Sequence, residues 1–104
     1  MGKIQITTPA QSDIQESYDW WSENRSAAQA AEWYEGIFDA IATLASMPER
    51  CPHVPEDDLS RSGVRQLLFG IGKHPTHRIV FHFDPDSDLV TVLRVRHHAQ
   101  DTLQ

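Results

Sequence analysis

The sequence predicts an α+β fold: an N-terminal strand and an antiparallel helix hairpin packed on one face of a small, mainly antiparallel sheet. Three observations carry that prediction. Apolar residues recur at helical spacing from Ala10 to Leu44, with one lapse near Asn24. Three alternating, strand-like segments, at 64–70, 77–83 and 89–98, fill the last third of the chain. A short strand pattern, Lys3-Ile4-Gln5-Ile6-Thr7, precedes them all.

Size and composition bound what the chain can be. Its 104 residues make one domain, spanning 1–104, with room for a single modest core. An apolar fraction of 39% with three Trp, four Phe and two Tyr is that of a globular protein and not of a disordered one. The N-terminus has no apolar stretch of a secretory leader, and no apolar run is long enough to cross a bilayer. The lone Cys51 has no internal disulfide partner. The expectation is a soluble, cytoplasmic domain without a membrane partner.

Net charge of −6 argues against a general nucleic-acid binder, which must neutralise phosphates. Its distribution is uneven. Residues 1–60 carry three Lys or Arg against eleven acids, a balance of −8, whereas residues 61–104 carry six against four, a balance of +2. Five of the six histidines also fall in the second part.

After the first strand, Thr8 followed by Pro9 reads as a capping hydroxyl with proline at the first helical position. Ala10, Ile14, Tyr18 and Trp21 mark the apolar side of the first helix. A second helix runs from about Ser26 to about Met47, where Pro48 stops it, with Ala30, Trp33, Tyr34, Ile37, Phe38, Ile41 and Leu44 on its apolar face. The short break between the two predicts a hairpin. Residues 48–63, with three prolines and the acids Glu56-Asp57-Asp58, read as a surface connection. Asp84-Pro85-Asp86-Ser87-Asp88 reads as the turn of a hairpin between the last two strands.

Strand parity then sets the faces. Ile79, Phe81 and Phe83 point one way, and Arg78, Val80 and His82 the other. In the last strand Leu89, Leu93 and Val95 share a face, and Val92, Arg94 and Arg96 share the opposite one. With the helices covering the apolar face, Arg78, Arg94 and Arg96, joined by Arg65, are expected on an uncovered basic surface.

Several pieces in this order resemble the RelE/ParE superfamily of toxins from type II toxin–antitoxin systems. They are Leu44-Ala45-Ser46-Met47-Pro48 closing the hairpin, Gly63-Val64-Arg65-Gln66-Leu67 opening the sheet, His77-Arg78-Ile79-Val80-Phe81, and Val92-Leu93-Arg94-Val95-Arg96-His97-His98 at the end. The resemblance covers essentially the whole chain. It implies a cytoplasmic toxin neutralised by a cognate antitoxin protein. It also implies one of two targets: DNA gyrase, as for ParE-like members, or messenger RNA on the ribosome, as for RelE-like members.

Metal-free RNA cleavage needs a base, an acid and a cation over the phosphate. Arg78, which aligns with an arginine of RelE-like nucleases, offers the fork for the phosphate, and His97 and His98 offer proton transfer near neutral pH. Arg78→Ala is therefore expected to abolish any cleavage while leaving the fold intact. Against cleavage, Arg65-Gln66-Leu67-Leu68 has one basic residue where such nucleases often carry several lysines. No tyrosine follows Tyr34, and Ala99-Gln100-Asp101 lacks the arginine common in those relatives. The ParE-like reading is favoured, with Arg65, Arg78, Arg94, Arg96 and His97 as partner-binding residues. An RNA endonuclease, and a non-toxic or decayed binding module, are the alternatives.

Other features take bland readings. His74-x-x-His77 with His97-His98 lacks ligands at metal spacing, and no cofactor or metal is expected. Trp20, Trp21, Trp33 and Tyr34 read as core and hairpin packing, the helical acids (Asp13 and Glu16 among them) and the cluster at 56–58 as solvated surface, and Cys51 as inert.

Overall fold

A computed structural model describes residues 2–56, 58 and 61–97. Strand β1 (Lys3–Ile6) leads into helices α1 (Thr8–Asn24) and α2 (Ala27–Ala42), followed by β2 (Val64–Phe69), β3 (His77–Asp84) and β4 (Leu89–His97). The sheet order is β1-β4-β3-β2, with β1 parallel to β4 and the other pairs antiparallel. The helix hairpin covers one face, giving the α+β architecture that the sequence predicts.

Local chemistry sets the element ends. Thr7, one residue before the expected cap, accepts from the Ala10 N–H at 3.3 Å and donates to the Leu93 carbonyl at 3.0 Å. It therefore starts α1 and ties it to β4. Ser26 caps α2 by accepting from the Gln29 N–H at 3.1 Å. That helix stops at Ala42, five residues before Met47, and the chain tightens into a 3₁₀ turn at Thr43–Ala45. Arg50 reaches back to the Ser46 carbonyl at 3.0 Å and the Thr43 hydroxyl at 3.0 Å, so acceptors at the helix end are met by a side chain instead of by further turns. At the hairpin, the Asp84 carboxylate accepts from the Asp86 N–H at 3.1 Å and the Ser87 hydroxyl at 3.0 Å.

The main core joins Ala10 and Ile14 of α1, Trp33, Ile37 and Ile41 of α2, Leu44, Ile79 and Phe81 of β3, and Val90, Val92 and Val95 of β4. Gly36 in α2 makes room for β2, because a Cβ there would come within 2.7 Å of the Phe69 ring. Trp33 lies in this core, with Trp21 packed against it, as expected. Tyr34 is 39% exposed yet meets Tyr18 edge-on across the hairpin, with ring centroids 5.3 Å apart. Trp20 departs from the expectation of packing: it is 48% exposed, under the Arg25 guanidinium.

Two expectations about the sheet are corrected. Strand β4 carries a bulge: Val80 faces Arg94 while its neighbour Phe81 faces Val92, leaving Leu93 as the extra residue. The extra residue resets the alternation. Val92 is fully buried in the main core, and Leu93 packs on the other face with Val54, Val64 and Val80. That second face is also not bare. The segment around Pro52–Val54 pairs with the free edge of β2, through the Val54 N–H on the Val64 carbonyl (3.1 Å) and the Gln66 N–H on the Pro52 carbonyl (3.0 Å), and turns the Val54 side chain onto that face. Val54 is 2% exposed, so part of the expected surface connection is a cover for the sheet. Cys51 is buried in the main core, and burial pushes its thiol pKa up.

Candidate partner-binding site

The arginines come from three strands, and the strand register decides where each one goes. Arg65 faces Phe81 across the β2–β3 pair, on the opposite side of the sheet from Arg78. It donates to the carbonyls of Cys51 (2.6 Å) and Glu49 (3.2 Å), holding the segment after α2 against the sheet edge. The expected four-arginine face therefore loses Arg65, because residue 65 lies one position out of phase with Gln66, which faces Val80.

Arg78 is on the expected face but is buried, 6% exposed. Its two terminal nitrogens meet both oxygens of Glu56, at 2.6 and 3.1 Å, and one also donates to Gln66 Oε1 at 3.0 Å. Glu56 thus leaves the expected acidic loop surface to become the counter-ion of the sheet. Asp57 of that cluster lies outside the described residues, and Asp58 is exposed.

Arg94 faces Val80 and leans around the sheet edge to α1. Its Nε and Nη2 meet the two oxygens of Asp13 at 2.8 and 2.9 Å, and the Val95 N–H donates to the same carboxylate at 2.9 Å. The hydrogen bond to Asp13 raises the Arg94 pKa further, against a smaller opposing effect of burial. Asp13 therefore departs from the expected solvated acid face and straps α1 onto β4.

Arg96 stands directly opposite Arg78 in the β3–β4 register, and Leu68 stands opposite Arg78 on its other side. Leu68, Arg78 and Arg96 thus form one row across three strands. Leu68 is 48% exposed, and the buried Nε of Arg96 meets no hydrogen-bond acceptor among the described residues.

His97 pairs with His77, on the side of the sheet that carries Ile79 and Val95, away from Arg78 and Arg96. The two imidazoles meet edge to face with centroids 5.0 Å apart. His77 is buried against Trp33, and its ring nitrogens lie 2.8 Å from the Thr76 hydroxyl and 3.4 Å from that of Ser17. Together with Glu16, Trp20 and Trp21, the histidine pair lines a groove of about 480 Å³ between α1 and the end of β4. His98 lies outside the described residues. Among the described residues, no three His, Cys, Asp or Glu side chains gather to hold a metal ion.

Of the candidate nuclease groups, the described residues place Arg78 closed on a carboxylate on one face of the sheet and His97 on the other. Asp13, Glu56 and His77 are missing from the sequence-level set. For Asp13 a signal existed, since positions 10, 13, 14, 17 and 21 form one helical stripe and Asp13 is the charge within it. Nothing local marked Glu56.

A family model described as "ParE toxin of type II toxin-antitoxin system, parDE" matches residues 4–102. No curated protein sequence matches the chain. Among solved structures, a chromosomal ParDE system from P. aeruginosa is similar at TM-score 0.72 and 18% identity, over 93% of this chain and 96% of that one. The toxin–antitoxin complex RelBE2 from Mycobacterium tuberculosis is similar at TM-score 0.56 and 22% identity, over 92% and 96%. A YoeB/ParE toxin from Agrobacterium tumefaciens is similar at TM-score 0.56 and 19% identity, over 92% and 98%.

Proposed function

Because this chain belongs to the family of ParE toxins of type II toxin–antitoxin systems, we propose that it inhibits DNA gyrase and that a cognate antitoxin protein neutralises it. The cytoplasm is the compartment this target requires. No helix among the described residues is long and apolar enough to cross a membrane.

One observation favours gyrase over messenger RNA. The guanidinium that a RelE-like nuclease would place on the phosphate is 6% exposed and already forked onto Glu56. The imidazole of His97 stands on the other face, so a single phosphodiester cannot touch both. A net charge of −6 further opposes approach to ribosomal RNA. Inhibiting a protein target needs only a shaped, charged surface.

Arg96 on one face of the sheet and His97 on the other are the contact residues, and Arg65, Arg78 and Arg94 hold their strands in place through Cys51, Glu56 and Asp13. Purified protein is expected to block DNA supercoiling by gyrase and to leave messenger RNA intact in a translating extract. Fragmented message with unaffected supercoiling would move the assignment to the endonuclease. Inactivity in both assays would favour a decayed toxin or binding module. Arg96→Glu, which breaks no hydrogen bond among the described residues, is expected to weaken antitoxin binding at least about tenfold, the scale of one charge pair. Unchanged affinity in a titration would remove Arg96 from the interface.

A further inference from the structure

We propose that the groove between α1 and the end of β4 is a docking site for an arginine side chain of a protein partner, stacked on Trp20 and ion-paired with Glu16. The inference rests on the partner-binding reading of His97, which lines the same groove, and names the chemistry of what enters it.

Size and lining suit one long side chain. The groove holds about 480 Å³, walled by Glu16, Trp20 and Trp21 of α1 and backed by the buried Val95 and His77. Trp20 is 48% exposed, an indole left in solvent at the groove's edge. Its ring meets that of Trp21 at 88°, with centroids 5.5 Å apart, so the pair turns indole faces in two directions. Such electron-rich faces attract cations, and indole does so most strongly. The fold already displays the match: the Arg25 guanidinium lies over the Trp20 ring, 5.7 Å from its centroid.

Charge then selects the ligand. Helix α1 carries Asp13, Glu16, Asp19 and Glu23 and no lysine or arginine. Asp13 is engaged by Arg94, but Glu16 is exposed and forms no ion pair among the described residues. Glu16 also stands one helical turn before Trp20, the spacing at which side chains meet on a helix surface. A guanidinium on Trp20 is therefore within reach of that carboxylate. Arg25 approaches the ring from the C-cap of α1 and leaves Glu16 unpaired. A partner's arginine that takes its place gains an ion pair that Arg25 lacks.

Other occupants fit less well. An apolar side chain would cover the Glu16 carboxylate and give it no partner. A phosphate or an acidic segment is repelled by the acids of α1. Arginine meets both demands, because its stem covers Val95 and its planar fork both stacks and donates.

The test is an NMR titration of the intact protein, reading indole and backbone N–H signals. The ligands are the capped peptide Ac-Leu-Arg-Leu-NH₂, its citrulline counterpart, and N-acetylarginine amide. The arginine peptide is expected to shift the Trp20 and Trp21 indole signals. The citrulline peptide, which keeps the shape and loses the charge, is expected to leave them in place. Trp20→Leu and Glu16→Gln are each expected to weaken the arginine peptide about threefold, the scale of one exposed cation–π contact or ion pair. Arg25→Gln is expected to tighten it by a similar factor, because the ring is then vacant. Asp86→Asn, in the turn at the opposite end of β4, is expected to change nothing, which separates this site from general attraction to an acidic protein. Equal binding of the two peptides would overturn the proposal. So would unchanged affinity in both the Trp20 and Glu16 variants, or a loss in Asp86→Asn as large as that in Glu16→Gln. N-acetylarginine amide binding as tightly as the peptide would also overturn it, by pointing to a free small cation instead of a protein segment. The backbone signals of each variant establish that it is folded. Peptide binding without gyrase inhibition would sink the proposed target and spare this site, and inhibition without peptide binding would do the reverse.

Discussion

Arg78→Ala is expected to destabilise the protein by about 3 kcal/mol, the scale for breaking a buried ion pair from one side. The side chain is 7% exposed, and it satisfies both Glu56 oxygens and Gln66 Oε1. Its loss strands the carboxylate under the segment 51–56 and leaves a void beside Val80. Relief of repulsion with Arg96 and the 20% exposure of the Glu56 side chain hold the cost at the lower end. For a domain of this size the melting temperature is expected to fall by roughly 10–20 °C. The double variant Arg78→Met with Glu56→Leu, which removes both charges and keeps volume, is expected to recover most of that loss. Thermal unfolding of the parent, Arg78→Ala and the double variant checks this, and an Arg78→Ala variant as stable as the parent would show that the pair carries no stability. The sequence-level expectation that Arg78→Ala leaves the fold intact is at odds with this burial, so lost activity in that variant does not by itself indicate lost chemistry.

Asp13→Ala is expected to cost about 2–3 kcal/mol, from an orphaned edge N–H plus a broken, partly screened ion pair. The Asp13 side chain is 11% exposed and accepts from Arg94 Nε, Arg94 Nη2 and the Val95 N–H. Arg94 is 40% exposed, so solvent weakens the ionic part, and most of the loss comes from the unpaired Val95 amide and the freed end of α1. Asp13→Asn keeps one acceptor and is expected to lose about half as much. Denaturant unfolding separates the two variants. Equal, sub-kilocalorie losses would mean that the strap does not hold α1 to the sheet.

How far the chain could be read from its sequence depends on the range of the forces involved. The helix hairpin was legible because its signals are local: the lapse near Asn24, the restart near Ser26, and the stripe from Ala30 to Leu44. Both hairpin strands were legible from alternation and the Asp84–Asp88 turn. The end of α2 was missed by five residues because Arg50, not a glycine or proline, satisfies the acceptors there. The face assignment in β4 failed at Leu93 and before it, because the bulge there shifts Leu89–Val92 by one position relative to Arg94–Arg96.

The site was legible as a set of residues and not as an arrangement. Arg94 and Arg96 were placed on one face, with Arg78, by alternation that happens to survive the bulge. Arg65 was misplaced because the register of β2 on β3 is set by long-range pairing. The partners of Arg78 and Arg94, Glu56 and Asp13, lie 22 and 81 residues away in sequence, beyond any periodicity. Three of the four arginines are anchored within the chain, and Arg96 is the one whose buried Nε meets no acceptor among the described residues.

The most direct measurement is inducible expression of the chain alone in a bacterium, with DNA and protein synthesis pulse-labelled separately. An early halt in DNA synthesis with a DNA-damage response, while translation continues, is the result that gyrase inhibition predicts. An early halt in translation with fragmented messenger RNA would contradict it, as would undisturbed growth.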